Sequence, residues 1–264
     1  MSRAVLFDVD GVLVHGMHER EDRRRRWDTH LLADLGVDPE LFVEQFIRKA
    51  FIGDVITGKA ALIDELERWL PTVGYTGSPM NFISYWLHRD SQLNEPLLAG
   101  IRRLRNGPGV GRLYVATNQE HLRAFHLWST LGLQQVFDDI FYGARLGATK
   151  PDRAFFDAIA SRIGPQDEAP LMFDDSVAVV EAARSYGWDA VLYADLEDFT
   201  TDPWIESVWA QSSATRPAWC RPGPPTGSGA AARPCSRDCG RWRSGPSWPD
   251  RCSACRRSGR TPVR

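Results

Sequence analysis

Asp8 and Asp10, followed by Gly11, close a short apolar run near the N-terminus. A carboxylate is costly to bury unless a cation or hydrogen bonds compensate it. A pair of them at the end of a buried strand therefore points to a site. Side chains of an extended chain alternate, so Asp8 and Asp10 face the same side. One could attack while the other moves protons or helps hold a metal. The competing reading is a plain turn, because Asp-Gly is a favourable turn pair. Similar endings recur downstream. Thr117 and Asn118 follow the apolar run Leu113–Ala116, and Asp174 and Asp175 follow Leu171–Phe173. Lys150 lies in a loop between them, one of three lysines beside 29 arginines. A chain that elsewhere prefers Arg keeps Lys here, which favours a role over a solvated surface charge.

These residues need elements to position them. Runs at Ala4–Val9, Arg112–Ala116, Asp139–Tyr142, Pro170–Phe173 and Asp189–Tyr193 read as short buried strands. Between them, Leu97–Leu104, Glu120–Leu131, Pro151–Ile163 and Val177–Tyr186 carry helical spacing. In Glu120–Leu131, the residues Leu122, Phe125, His126 and Leu127 are expected to face inward. Strands alternating with helices predict an α/β fold with a parallel sheet flanked by helices. Ligands gather outside the carboxyl ends of such strands, where all the polar residues above fall. From His15 to about Leu93 no strand is expected. Glu19–Leu35, a set around Leu41–Ile47 after Pro39, and Ala60–Leu70 ended by Pro71 read as helices, and Asn81–Leu87 is aromatic-rich. This predicts an all-helical insertion.

Four segments in order, Asp8-Val9-Asp10-Gly11, Leu113 through Asn118, Gly147 through Asp152 and Leu171 through Ser176, resemble the signatures of the haloacid dehalogenase-like superfamily over roughly residues 3–198. The resemblance implies a Rossmann-like catalytic core at 1–14 and 95–200 and a helical cap at 15–94. It implies a Mg²⁺-dependent phosphatase acting on a small phosphorylated metabolite. Asp8 would be the nucleophile that forms an aspartyl-phosphate, and Asp10 would protonate the leaving oxygen and then activate water. Mg²⁺ would sit between Asp8, the backbone carbonyl of Asp10 and the Asp174/Asp175 pair, with Asp175 the direct ligand and Asp174 acting through water. Thr117, Asn118 and Lys150 would bind the substrate, Thr117 and Lys150 at phosphoryl oxygens, and Gly11 would let backbone amides approach the phosphate. Metal-independent dehalogenases of the superfamily usually lack the second acid, so Asp10 argues for phosphoryl transfer. A phosphomutase, or a catalytically idle binding protein of the same fold, is the alternative. One departure is Val179, where close relatives often carry Asn.

The cap-hinge residues His15, His18, Glu19 and Arg23–Arg26 are candidates for substrate choice, although an arginine run is usually solvated surface. Trp27, Trp69, Phe82, Tyr85 and Trp86 are expected to be core of the insertion rather than a base-stacking platform. The formal net charge of −2 hides an asymmetry: from Ser212 onward there are 11 arginines and two acids, against 21 cationic and 32 acidic side chains before it. All five cysteines, Cys220, Cys235, Cys239, Cys252 and Cys255, lie in that last part. A cysteine-free body suits a reducing compartment, and no apolar run reaches membrane-spanning length, so a cytoplasmic protein is expected. Residues 201–264 lose apolar periodicity and are expected to be a basic tail of low order. The Cys235/Cys239 and Cys252/Cys255 pairs invite a zinc reading, disfavoured because little between them could pack. Nucleic-acid binding is expected only through this tail.

Overall fold

The computed structural model describes residues 2–214. Five strands, β1 (Arg3–Phe7), β2 (Val110–Thr117), β3 (Asp139–Tyr142), β4 (Leu171–Asp174) and β5 (Asp189–Leu192), form one all-parallel sheet in the order β3-β2-β1-β4-β5. β1 is central. Its Phe7 is in register with Val115 of β2 and Phe173 of β4, and the Asp8 amide continues the ladder to the Phe173 carbonyl at 2.9 Å. The alternation of β1 feeds two cores. Val5 and Phe7 enter one with Leu97, Ile101, Leu113 and Phe173, while Ala4 and Leu6 enter the other with Phe155, Ile159 and Val180. A parallel strand covered on both faces is apolar throughout, which is why β1 shows no polar alternation. The α/β expectation holds.

The insertion carries α1 (Leu31–Leu35), α2 (Pro39–Leu41, continuing as wider π-type turns over Phe42–Val55), α3 (Leu62–Trp69) and α4 (Pro79–Arg89). It has its own core, centred on Phe42, Phe46, Leu66, Phe82 and Trp86, with Trp27 stacked on Trp86 at 5.2 Å. Trp69 and Tyr85 pack against this core, so the aromatics are structural. Glu19–Leu35 is not one helix. A 3-10 turn over Glu21–Arg23 is separated from α1 by irregular chain. The arginines there bond to main-chain oxygens and nearby carboxylates instead of lining a helix. The outgoing and returning segments meet where Val14 bridges Leu93. Beside this joint Asn94 donates to the Val12 carbonyl and the Tyr193 hydroxyl, both at 2.9 Å.

The sheet is flanked by α5 (Glu95–Leu104), α6 (His121–Phe125, continuing to Thr130), α7 (Gly143–Leu146), α8 (Arg153–Ile163), α9 (Val177–Tyr186), α10 (Leu196–Thr200) and α11 (Pro203–Ala214). Two expectations need correction. Of the four residues expected inward in α6, Leu127 is buried and Leu122 packs half-buried against the insertion core, but Phe125 is 66 % exposed, and Arg123 and Ala124 are buried in addition. The helical phase is set by Leu127, not by the larger Phe125. The expected tail from residue 201 begins too early. Asp202 caps α11 by accepting from the amides of Trp204 (3.0 Å) and Ile205 (3.1 Å), and Pro203 suits the first helical position. Ile205 and Val208 are buried against the sheet, and Arg103 stacks over the Trp209 ring at 4.2 Å. The zinc reading, and the low-order reading beyond residue 214, fall on residues outside those described. Among the described residues no helix is long and apolar enough to cross a membrane.

Candidate active site

Asp8 follows β1 directly and is buried. Its Oδ1 accepts the Val9 amide at 2.7 Å and lies 2.8 Å from Lys150 Nζ. The same ammonium donates to Asp174 Oδ2 at 2.7 Å. Asp174 ends β4, is 0 % exposed, and accepts the Ser176 amide at 3.0 Å on Oδ1. Lys150 thus bridges two carboxylates from adjacent strands. Burial works against its charge, but Asp174 and Asp8 outweigh that and hold its pKa above the ordinary lysine value. Asn118 fixes the lysine's main chain: its Nδ2 donates to the Lys150 carbonyl at 2.9 Å, and its Oδ1 accepts the Lys150 amide at 2.8 Å. Asn118 therefore supports Lys150, whereas the sequence placed it on substrate. Thr117 closes β2 at the same end of the sheet. Among the described residues its buried Oγ1 has no hydrogen-bond partner, so it is a spare donor and acceptor.

Asp175 lies just past β4. Its Oδ2 accepts the Glu19 amide at 2.7 Å and is 3.2 Å from His18 Nδ1. His18 Nδ1 also accepts the Arg20 amide at 3.0 Å. Burial and the neighbouring Arg23 and Arg20 lower the His18 pKa. Gly11, at φ +77°, packs on this carboxylate: a Cβ there would stand 2.4 Å from Asp175 Oδ2. The Gly11 amide is already used by the Val14 carbonyl at 3.0 Å. The glycine makes room for Asp175, and its own amide is turned to the Val14 carbonyl.

Ligand oxygens of Asp8, Asp174 and Asp175 all lie within 4.8 Å of one another. Burial, as the largest cause, pushes the Asp8 carboxyl up to about 7 and Asp175 to about 6, and raises Asp174 as well. One ammonium does not offset three crowded carboxylates. An oxygen-only set short of positive charge fits a hard divalent cation such as Mg²⁺, which keeps several waters and takes only a few carboxylates. Val179, at the departure from the expected pattern, is buried in the core beneath α9 and lies among apolar side chains.

Asp10 stands apart from that cluster. Arg123 grips it through Nη2 to Oδ1 at 2.7 Å and Nη1 to Oδ2 at 3.0 Å, and Gln119 Nε2 donates to Oδ2 at 2.6 Å. Arg123 Nη2 is also 3.0 Å from Asp90 Oδ2. Sequence reading missed Gln119, Arg123 and Asp90. The available signal was a charged residue on the inward stripe of α6, beside Ala124 and Leu127.

The hinge arginines are engaged. Arg23 bonds to the Ala194 carbonyl and approaches Asp195 at 3.6 Å. Arg24 donates to the His18 carbonyl at 2.6 Å, Arg25 to Gln92 at 2.6 Å, and Arg26 pairs with Asp28 at 2.9 Å. They brace the loop around a cleft of about 540 Å³ lined by His15, His18, Arg23, Arg24 and Tyr193. On another side, the insertion meets the core through close backbone approach. A Cβ on Gly58 would lie 2.5 Å from the Ala144 carbonyl oxygen.

Residues 2–187 match the family model of the haloacid dehalogenase-like hydrolases. The chain belongs to this family. It is similar in fold to a HAD-like family hydrolase from Porphyromonas gingivalis, at 21 % identity and a TM-score of 0.58, over 80 % of this chain and 97 % of that one. It is also similar to a HAD family enzyme from Bacteroides thetaiotaomicron in complex with magnesium and inorganic phosphate, at 16 % identity and 0.58, over 72 % and 93 %. A 2-haloacid dehalogenase from Pseudomonas syringae pv. Tomato matches at 20 % and 0.52, over 79 % and 100 %. No curated protein matches the chain.

Proposed function

We propose that this hydrolase is a Mg²⁺-dependent phosphatase that cleaves a small phosphorylated metabolite through an aspartyl-phosphate on Asp8, with the insertion as its cap. The observation that carries the reading is the cluster of Asp8, Asp174 and Asp175 together with a second carboxylate, Asp10, on the next turn. Halide displacement by a carboxylate needs no proton for the leaving group and gains nothing from three crowded anions. A phosphate ester needs both a proton donor and positive charge. The solved relative from Bacteroides thetaiotaomicron holds magnesium and phosphate, which supports the same assignment.

In the proposed reaction Asp8 Oδ2 attacks phosphorus, because Oδ1 is held by Val9 and Lys150. The P–O(Asp8) bond forms as the P–OR bond breaks, and the leaving oxygen takes a proton from Asp10. Water then attacks phosphorus and gives its proton to Asp10, releasing phosphate and restoring Asp8. Asp8, Asp174 and Asp175 would hold Mg²⁺, which supplies charge stabilisation of the phosphoryl oxygens. Lys150 favours the ionised form of Asp8 and orients it, and Thr117 Oγ1 offers a hydrogen bond to a phosphoryl oxygen. The test is a panel of phosphate monoesters, beginning with an aryl phosphate, assayed with Mg²⁺ and with EDTA. Metal-dependent phosphate release is expected. A folded, Mg²⁺-binding protein that releases no phosphate from any ester would contradict the reading.

A further inference from the structure

We infer that Arg123 is the positioning residue for Asp10, and that Asp90 secures Arg123 from the returning segment of the insertion. The inference rests on the proposed role of Asp10 as the proton carrier. Asp10 lies in a turn beyond the strand, and its grip comes from two side chains of the loop and helix after β2. Both terminal nitrogens of Arg123 engage it, one to each oxygen, at 2.7 and 3.0 Å. This fork fixes the plane of the carboxylate as well as its position, which a point charge would not do. Gln119 closes the arrangement, donating to Asp10 Oδ2 at 2.6 Å while its own Oε1 accepts from Arg123 Nη1 at 3.3 Å.

The guanidinium is buried, and so is Asp90, whose Oδ2 lies 3.0 Å from Nη2. Burying a cation with one buried and one half-buried carboxylate is an expensive way to gain stability, because an apolar cluster of similar volume often does as well. Orientation is a better explanation, since a proton carrier must stand within hydrogen-bond reach of the leaving oxygen. Asp90 ends α4, where the chain leaves the insertion. A Cβ on Gly16 would stand 2.5 Å from Asp90 Oδ1 and 3.9 Å from Asp10 Oδ1. Both connections of the insertion therefore pass beside the network. A shift of either connection would be felt at Asp10 through Asp90 and Arg123.

A double-mutant cycle on aryl phosphate hydrolysis with saturating Mg²⁺ tests this. Arg123→Lys keeps the charge and loses the fork, and Arg123→Gln loses both. Loss of one charge-assisted bond predicts a kcat lowered about tenfold for Arg123→Lys, and loss of position predicts about a hundredfold for Arg123→Gln. KM should stay within about twofold in both, because Arg123 acts on the proton carrier and not on ground-state binding. In an Asp10→Asn background neither substitution should lower kcat further. An equal fold-loss in both backgrounds, or unchanged kcat in Arg123→Lys, would overturn the inference while leaving the phosphatase standing. If Arg123→Gln fails to fold, the Arg123→Lys arm alone decides. A wild type inactive on every phosphate ester would overturn both.

Discussion

At the scale of single residues, the site depends on compensating crowded carboxylates. Lys150 is held by a pair of main-chain bonds from Asn118. Asn118→Ala leaves those groups unsatisfied and frees the ammonium to drift. A loss of about 1–3 kcal/mol in stability is expected, with a kcat reduction larger than any change in KM, read by denaturant melts and steady-state kinetics. Gly11→Ala fails twice, through its positive φ and through contact with Asp175. It should destabilise by more than about 1 kcal/mol and weaken Mg²⁺ binding, measured by calorimetry. Wild-type affinity in that variant would remove Asp175 from the metal set. Asp8, Thr117, Lys150, Asp174 and Asp175 could be picked out in the sequence because four of them end or follow an apolar strand and Lys150 is rare. Arg123 and Asp90 could not, because their partners lie 113 and 33 residues away from Arg123. Arg123 shares the inward stripe of α6 with Ala124 and Leu127, which hints at burial but does not name its partners.

At the scale of elements, strands were the easiest to read. β3 was expected where it lies, and β1, β4 and β5 were offset only at their ends, since buried parallel strands are nearly continuous apolar runs. The exit from β1 comes at Phe7 rather than Val9, which puts Asp8 at the strand's mouth. Helices were harder. α11 was hidden because it adjoins the Arg-, Pro- and Gly-rich sequence that follows, although Trp204, Ile205, Val208 and Trp209 stand at helical spacing and Asp202-Pro203 is a helix start that can be read in the sequence. Ile205 is 0 % exposed, so Ile205→Ala should cost about 2–5 kcal/mol in a urea melt. An unchanged midpoint would show that α11 does not belong to the core. Gly58 tests the other contact of the insertion. Gly58→Val drives a branched side chain into the Ala144 carbonyl and should lower kcat/KM severalfold while the core strands keep their hydrogen-exchange protection.

For the whole molecule, metal, pH and stability are linked. Asp8 and Asp175 have their pKa values raised by burial to about 7 and about 6 from an ordinary 3.8. Between those limits the folded state binds more protons than the unfolded chain, so the metal-free protein loses stability as pH rises from about 4 to about 7. Mg²⁺ bound as proposed would neutralise the same carboxylates and compete with protons for them. Its stabilisation should therefore be small near pH 5 and full near pH 8. At a hundredfold excess over Kd that is about 2.7 kcal/mol, on the order of 5–10 °C in Tm for a chain of this size. Thermal melts with and without Mg²⁺ across this range check it. A Mg²⁺ shift that is the same at both pH values would break the link between these carboxylates and the metal.

The central claim is that Asp8 carries the phosphoryl group. The direct measurement is mass spectrometry of protein quenched in acid during turnover of an aryl phosphate with Mg²⁺. The account predicts the added mass of one phosphoryl group on the peptide containing Asp8, and its absence in Asp8→Asn and in EDTA. Steady phosphate release with no phosphorylated peptide, or with activity retained in Asp8→Asn, would contradict it.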